Sequence, residues 1–319
     1  MNGLILAFVA MLSWTISVFP FTRAGRIMTV ASMNIIRLVL GTLLIFIAAI
    51  IIEHQNFFSI FSFAYGQAWL WLAISGILAL GIGDYFGLRM YMILGPRFGA
   101  VLTTLSPAAA LVMGYLLLNE KINIIGIAGI CITITGVMSI SLGPTERSSI
   151  PNHGHGSVFT GIIFGIISAI CNGAGLAFSK KAFIVQQVKQ VPLSAISASF
   201  MRFSVAMVMV LLFLLVFGKL HDKIKNIRRQ PLNVLGLAAA GTVFGPLIGV
   251  TFALMAIQTI NVAVAQTIFA LVPVFALLIS HFVLKQKITR FAMIGVVIAI
   301  AGVAVLIWRL RIAEVLGMG

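Results

Sequence analysis

Charge is what this sequence has least of. Only 8% of its 319 residues are Asp, Glu, Lys or Arg, whereas an ordinary soluble domain carries about 25%. Acid is the scarcer sign, with 6 Asp and Glu against 21 Lys and Arg. Cysteine is limited to Cys131 and Cys171. Both fall inside apolar runs, so they read as small packing residues rather than a disulfide framework. The chain also lacks a nucleotide-binding motif: "GTVFGPLIG" at 241–249 has neither the lysine nor the strand context of a phosphate loop. His153 and His155 in "NHGHG" stand without further metal ligands. No cofactor and no metal is expected, and nothing in the chain supplies ATP drive. The formal charge of +15 does not indicate nucleic acid, because the basic residues form short clusters between apolar runs instead of one continuous face.

What the sequence does have is apolar length. Hydrophobic residues make up 61% of it, and its mean hydropathy is +1.17. A helix that crosses a bilayer needs about 20 apolar residues, because the hydrocarbon core offers the backbone no water and each segment must satisfy its own hydrogen bonds. Apolar windows between charged or Gly/Pro breaks predict spans near 3–21, 32–52, 68–90, 98–118, 122–142, 157–179, 195–218, 233–257, 263–284 and 290–309. The first of these has no charged leader and no small-residue cleavage site, and reads as a transmembrane helix, not a signal peptide. The lipid bilayer is therefore the first expected partner.

The chain repeats itself. A shift of 166 positions lays "LSPAAAL" at 105–111 on "LVPVFAL" at 271–277, pairing Pro107 with Pro273. Without a gap, the same shift pairs Gly83 with Gly249, Gly129 with Gly295 and Gly136 with Gly302, and a shift of 165 pairs Arg37 with Arg202. Chance matches of Leu and Ile are expected in an apolar chain, but a joint match of Pro, Gly and intramembrane Arg is not. Each copy holds an odd number of spans, so the second must enter the membrane in the opposite sense. The expected fold is an all-α integral membrane protein of ten transmembrane helices in two inverted five-helix repeats, 1–142 and 157–319, joined by a polar linker at 143–156. Inverted repeats are the mark of secondary transporters, whose substrate site lies near the midplane between the copies.

Within the spans, a few residues do not belong to an apolar environment. Asp84 lies well inside the third span, where a charge costs roughly 2.5–3.5 kcal/mol. It is either a cavity residue that carries a coupling proton or meets a cationic group, or one member of a structural pair with Arg37 or Arg89. Arg37 and Arg202 lie one to two turns inside their helices. Each can snorkel to the headgroups, but their matched positions favour a shared role, and two guanidiniums facing a cavity suit anionic or zwitterionic solutes. Pro107 and Pro273 each remove a mid-helix donor, leaving the carbonyls of Thr103 and Phe269 short of a partner, and are read as kinks: hinges, or static bends that shape a cavity. Pro246 has no partner at the same shift. Glu120, beside Lys121, is read as a structural residue of a turn.

The run "GDYFGLRMYMILGPRFGAVLTTLSPAAALVMGYLLLNEKINIIGIAGICITITGV" resembles the drug/metabolite transporter superfamily, and within it the EamA family. The shared marks are Gly83-Asp84, Pro107, Glu120, and Gly126, Gly129 and Gly136. Two departures stand out: Gln286 occupies the position equivalent to Glu120, and Val250 that equivalent to Asp84. The resemblance implies that the first helix of each half lines a central cavity, which makes Trp14 and Asn172 candidates to stack on or orient a substrate. Gln266 in the ninth span is a similar case. Interhelical packing is the alternative for all three.

Loop charges divide 13 to 6 between the two sides, and the positive-inside rule then places both termini outside. The resemblance implies termini inside, so the orientation stays open. The functional expectation is a secondary transporter of the inner or plasma membrane, not an enzyme, that moves a small-molecule substrate by alternating access. Export of an amino acid or related compound, coupled to protons or by exchange, is what the resemblance implies. A lipid or lipid-linked sugar flippase is the alternative, and an intramembrane enzyme a more distant one.

Overall fold

The computed structural model describes residues 2–25, 27–54, 66–141, 157–190, 193–282, 285 and 289–316. The linker 143–156 with its two histidines, and Gln286, lie outside the described residues. Ten long apolar helices are present among them: α1 (Gly3–Gly25), α2 (Val30–Glu53), α3 (Gly66–Leu94), α4 (Val101–Leu118), α5 (Ile124–Ser141), α6 (Val158–Val188), α7 (Ala195–Val216), α8 (Leu232–Ile257), α9 (Val262–Phe282) and α10 (Arg290–Ile307). All except α5, the shorter one, are long and apolar enough to cross a bilayer. No strand occurs among the described residues.

The caps that start these helices are legible in the sequence. Thr29, Ser157, Ser194 and Thr289 accept hydrogen bonds from the backbone N–H three residues on, and Asn123 does the same for Gly126. Such caps satisfy donors that a helix start otherwise leaves open. They recur at the repeat shift: Thr29 and Ser194 open α2 and α7, and Asn123 and Thr289 open α5 and α10. The outer surface is apolar where a soluble protein would be polar, with Ile51, Leu116, Phe159 and Leu232 all exposed. That inversion is what a lipid-facing surface requires.

Packing follows small residues. Helices α5 and α10 touch backbone to backbone and run antiparallel. A Cβ on Gly129 would stand 2.8 Å from the amide of Leu306 and 2.9 Å from the carbonyl of Gly302, and one on Gly136 would stand 2.8 Å from the carbonyl of Gly295. The four glycines paired by the repeat thus meet crosswise, Gly129 with Gly302 and Gly136 with Gly295. The first helix of each half lies on the third helix of the other. Helix α1 packs on α8, where Ser13 Oγ donates to the Phe244 carbonyl at 2.6 Å. Helix α6 packs on α3, where Ser75 Oγ donates to the Gly175 carbonyl at 2.5 Å and lies 2.7 Å from Ser179 Oγ.

Two further irregularities recur in both halves. Helix α3 widens to a π-helix over Gly76–Gly83, and α8 does so over Val243–Val250. Pro246 therefore sits in a segment that does have a counterpart. Helices α4 and α9 break at Thr104–Leu105 and at Ala270–Leu271, just before the paired prolines. Each second segment restarts with its proline in the first turn, where a missing N–H costs nothing.

One difference from the expected spans is that no turn parts α3 from α4, since the helix that opens at Asp84 runs unbroken to Thr103; another is α6. It continues to Val188, nine residues past the expected end, and takes Lys180 and Lys181 into the helix. Both ammonium groups find acceptors there, so the charges do not end the helix. Cys131 is exposed on α5 instead of packed, while Cys171 is half-buried beside Gly83.

Candidate functional site

Asp84 is placed by the irregular turn that precedes it. At the end of the π-helical stretch its N–H bonds to the Ala79 carbonyl, five residues back. The Leu80 carbonyl therefore loses its ordinary donor. Arg37 from α2 reaches into this opening: its Nη2 donates to Asp84 Oδ2 at 2.5 Å, to Asn34 Oδ1 at 3.1 Å and to the Leu80 carbonyl at 3.4 Å. The pair is mostly withdrawn from solvent, with side chains 17% and 20% exposed. Of the two partners open to Asp84 in the sequence, Arg37 is the one engaged. Arg89 is exposed on α3.

Arg202 does not behave like its counterpart. It is 2% exposed, so it is not a snorkelling side chain. Its backbone is pressed against α3 at Gly76, where any Cβ would collide with the Arg202 carbonyl. Asp84 acts on it electrostatically, but its Nε and Nη1 are buried without a hydrogen-bond partner among the described residues. The structure separates two residues that the sequence paired: among the described residues Arg37 holds a carboxylate through Nη2, leaving only its Nε buried without a partner, whereas Arg202 has no ion pair and two buried nitrogens without partners.

Trp14 and Asn172 occupy matching positions. A Cβ on Gly249 would stand 2.5 Å from Trp14 Nε1, and a Cβ on Gly83 would stand 3.1 Å from Asn172 Nδ2. Each polar residue of a first helix thus covers the repeat-related glycine of the opposite half. Trp14 also meets Phe269 edge-on at 4.8 Å, and Asn172 Nδ2 donates to the Ser168 carbonyl at 3.0 Å. Both arrangements are close packing between the halves. Gln266 is 9% exposed, with Oε1 lacking a partner among the described residues. The residue that ends the second π-helix is Thr251, one position past the Val250 that the repeat shift sets opposite Asp84. Its Oγ1 is buried and has no hydrogen-bond partner among the described residues.

Glu120 does more than finish a turn. Its carboxylate pairs with Lys180 Nζ of α6 at 2.5 Å and accepts the Val262 N–H at 2.9 Å, at the start of α9. Lys180 also donates to the Ile260 carbonyl at 2.7 Å. One acid of the first half thereby holds two helices of the second. The sequence carried a partial signal, an acid and a lysine each at the end of an apolar run, but nothing that joined them. A recess of about 460 Å³ opens beside Lys180, lined by Gln186, Gln187, Gln190, Gln258 and Thr259 among others. It is separate from the Arg37–Asp84 pair. Among the described residues no group of His, Cys, Asp and Glu is arranged to hold a metal ion.

An apolar multi-helix bundle with a buried ion pair between its helices is a multi-pass membrane protein. The chain belongs to the EamA-like transporter family, whose model matches residues 1–142 and 159–308. Among curated proteins none matches it. A chain of known crystal structure shares the fold at a TM-score of 0.69 and 16% identity, covering 98% of this chain and 98% of that one.

Proposed function

We propose that this protein is a secondary transporter of the cell membrane in which ten spanning helices form two inverted halves, and that it moves a small metabolite by alternating access. Amino acids or related compounds are the favoured substrates and export the favoured direction. The observation that carries the reading is the crosswise contact of α5 with α10. If Gly129 and Gly295 are equivalent, and Gly136 and Gly302 likewise, then Gly129·Gly302 and Gly136·Gly295 are one contact made twice. Two equivalent helices that run antiparallel are related by a two-fold axis perpendicular to them, which lies in the membrane plane. That is the symmetry of inverted repeats, and a site between such repeats is exposed to each side in turn as the halves rock.

The Arg37–Asp84 pair, contributed by α2 and α3, supplies a polar point inside this bundle. Protonation of Asp84 removes one charge of the pair and frees Arg37 Nη2, which gives a coupling proton a defined place to act. Asp84 committed to Arg37 is poorly disposed to serve as a general base, which counts against an intramembrane enzyme.

The experiment is uptake of a radiolabelled amino acid pool into proteoliposomes, with and without a pH gradient, for wild type and Asp84→Asn. Gradient-driven flux that is lost in folded Asp84→Asn supports proton-coupled transport. Flux indifferent to both the gradient and the substitution assigns Asp84 a structural role and favours exchange. No flux of any pool member overturns the solute-transport reading and favours a flippase.

A further inference from the structure

We infer that Arg202 is the group that recognises the substrate, and that the substrate class is a carboxylate in which an ammonium group is dispensable. This rests on the transporter reading above and adds to it a chemical requirement.

The inference begins with charge balance. The intramembrane cluster holds Arg37, Asp84 and Arg202, two cations and one anion. The anion is taken, since Asp84 Oδ2 lies 2.5 Å from Arg37 Nη2. Arg202 feels that carboxylate without pairing with it: it is 2% exposed and, among the described residues, has no contact ion pair and two nitrogens lacking acceptors. A buried guanidinium with two nitrogens left without acceptors is an unfavourable arrangement inside a protein, and more so in a membrane. It is retained where an acceptor arrives. Its backbone cannot withdraw, because α7 is packed against Gly76 with no room for even a Cβ.

An occupant that restores neutrality brings one negative charge and an oxygen acceptor. A planar carboxylate fits a planar guanidinium in both respects. A substrate ammonium has no matching free acid, because Asp84 is already paired. The carboxylate is therefore the required feature, and a 2-oxo acid, which brings one net negative charge, should bind at least as well as the amino acid, whose ammonium finds no free acid.

The test uses purified protein in detergent at fixed pH and ionic strength, with thermal unfolding as the readout. Three equimolar pools are compared: L-amino acids, the corresponding 2-oxo acids, and the corresponding L-amino-acid amides. The first two pools should raise the melting temperature of the wild type and the amides should not. Arg202→Gln should lose the response to both acids, with an apparent affinity weaker by about tenfold or more, as expected for loss of a hydrogen bond to a charged group. Arg202→Lys keeps the charge and should keep part of the response, which separates loss of recognition from loss of folding. Equal stabilisation by the amides, a full response in Arg202→Gln, or no response of the wild type to any pool overturns the inference. Flux in proteoliposomes is scored separately: flux of amides as fast as acids refutes the carboxylate requirement and leaves the transporter reading standing. The expected stabilisation without flux does the reverse.

Discussion

At the scale of single residues, the Arg37–Asp84 pair proposed as a site should also stabilise the fold. Its Nη2–Oδ2 contact is supported by Asn34 and by a carbonyl that the π-helix leaves open. Removing one partner of a pair this withdrawn leaves an uncompensated charge, which typically costs roughly 3–5 kcal/mol, while removing both costs far less. Arg37→Gln and Asp84→Asn should therefore each lower the melting temperature strongly, and the double variant should melt well above the sum of the two losses. A thermal double-mutant cycle in detergent checks this. Strict additivity would mean that the pair is not coupled and that the two side chains act separately. The same comparison shows what a sequence can say about such residues. Their depth in the spans was readable, because Asp and Arg are out of place in apolar runs. Which arginine would hold the carboxylate was not, because that depends on a carbonyl released by a local change of helix type.

At the scale of elements, glycines decide where helices can touch. Gly136 faces the backbone of α10, where an added Cβ would stand 2.8 Å from the Gly295 carbonyl and 2.7 Å from the Cα of Ala299, whereas Gly236 on α8 has nothing within 4 Å. Gly136→Ala should cost about 1–3 kcal/mol, the usual range for overpacking against atoms that cannot move. Gly236→Ala should be neutral or stabilising by up to about 1 kcal/mol through helix propensity. Melting temperatures of the two variants, compared with wild type, settle whether the contact is as close as described. The paired breaks in α4 and α9 allow a second prediction. Pro107→Ala supplies an N–H that can close the gap at Thr104–Leu105 and continue the helix. The variant should stay folded and slow the initial rate of substrate counterflow, while an unchanged rate would make the break a static bend. The glycine and proline positions could be found from the repeat, since each marks a backbone requirement. The π-helices could not: "GILALGIG" and "VFGPLIGV" share little beyond small and apolar residues, and packing against the opposite half sets their pitch.

At the scale of the whole molecule, a cluster of contacts joins the halves at the end where α1, α5 and α9 begin. Glu120 binds Lys180 and Val262, Lys181 donates to the Leu117 carbonyl, and Gly3 is packed against Thr259 and Ile260, while Lys180 also holds the Ile260 carbonyl within its own half. Under the proposed alternating access, one end must separate while the other closes, so these bonds would belong to one state of the cycle. Glu120→Gln keeps the shape of the side chain and removes its charge, leaving Lys180 without its counter-ion. Loss of a hydrogen bond to a charged group, worth roughly 1.5–3 kcal/mol, shifts a two-state balance by about tenfold or more. Ala256, fully buried in α8 near this end, serves as the reporter. In protein lacking Cys131 and Cys171, Ala256→Cys should react slowly with a membrane-impermeant maleimide, and the same cysteine combined with Glu120→Gln should react about tenfold faster. Lys180→Met should have a similar effect, because it breaks the same pair from the other side. If both variants fold and neither changes the labelling rate, the pair is a fixed strut between the halves, and the separation of this end must be governed by other contacts.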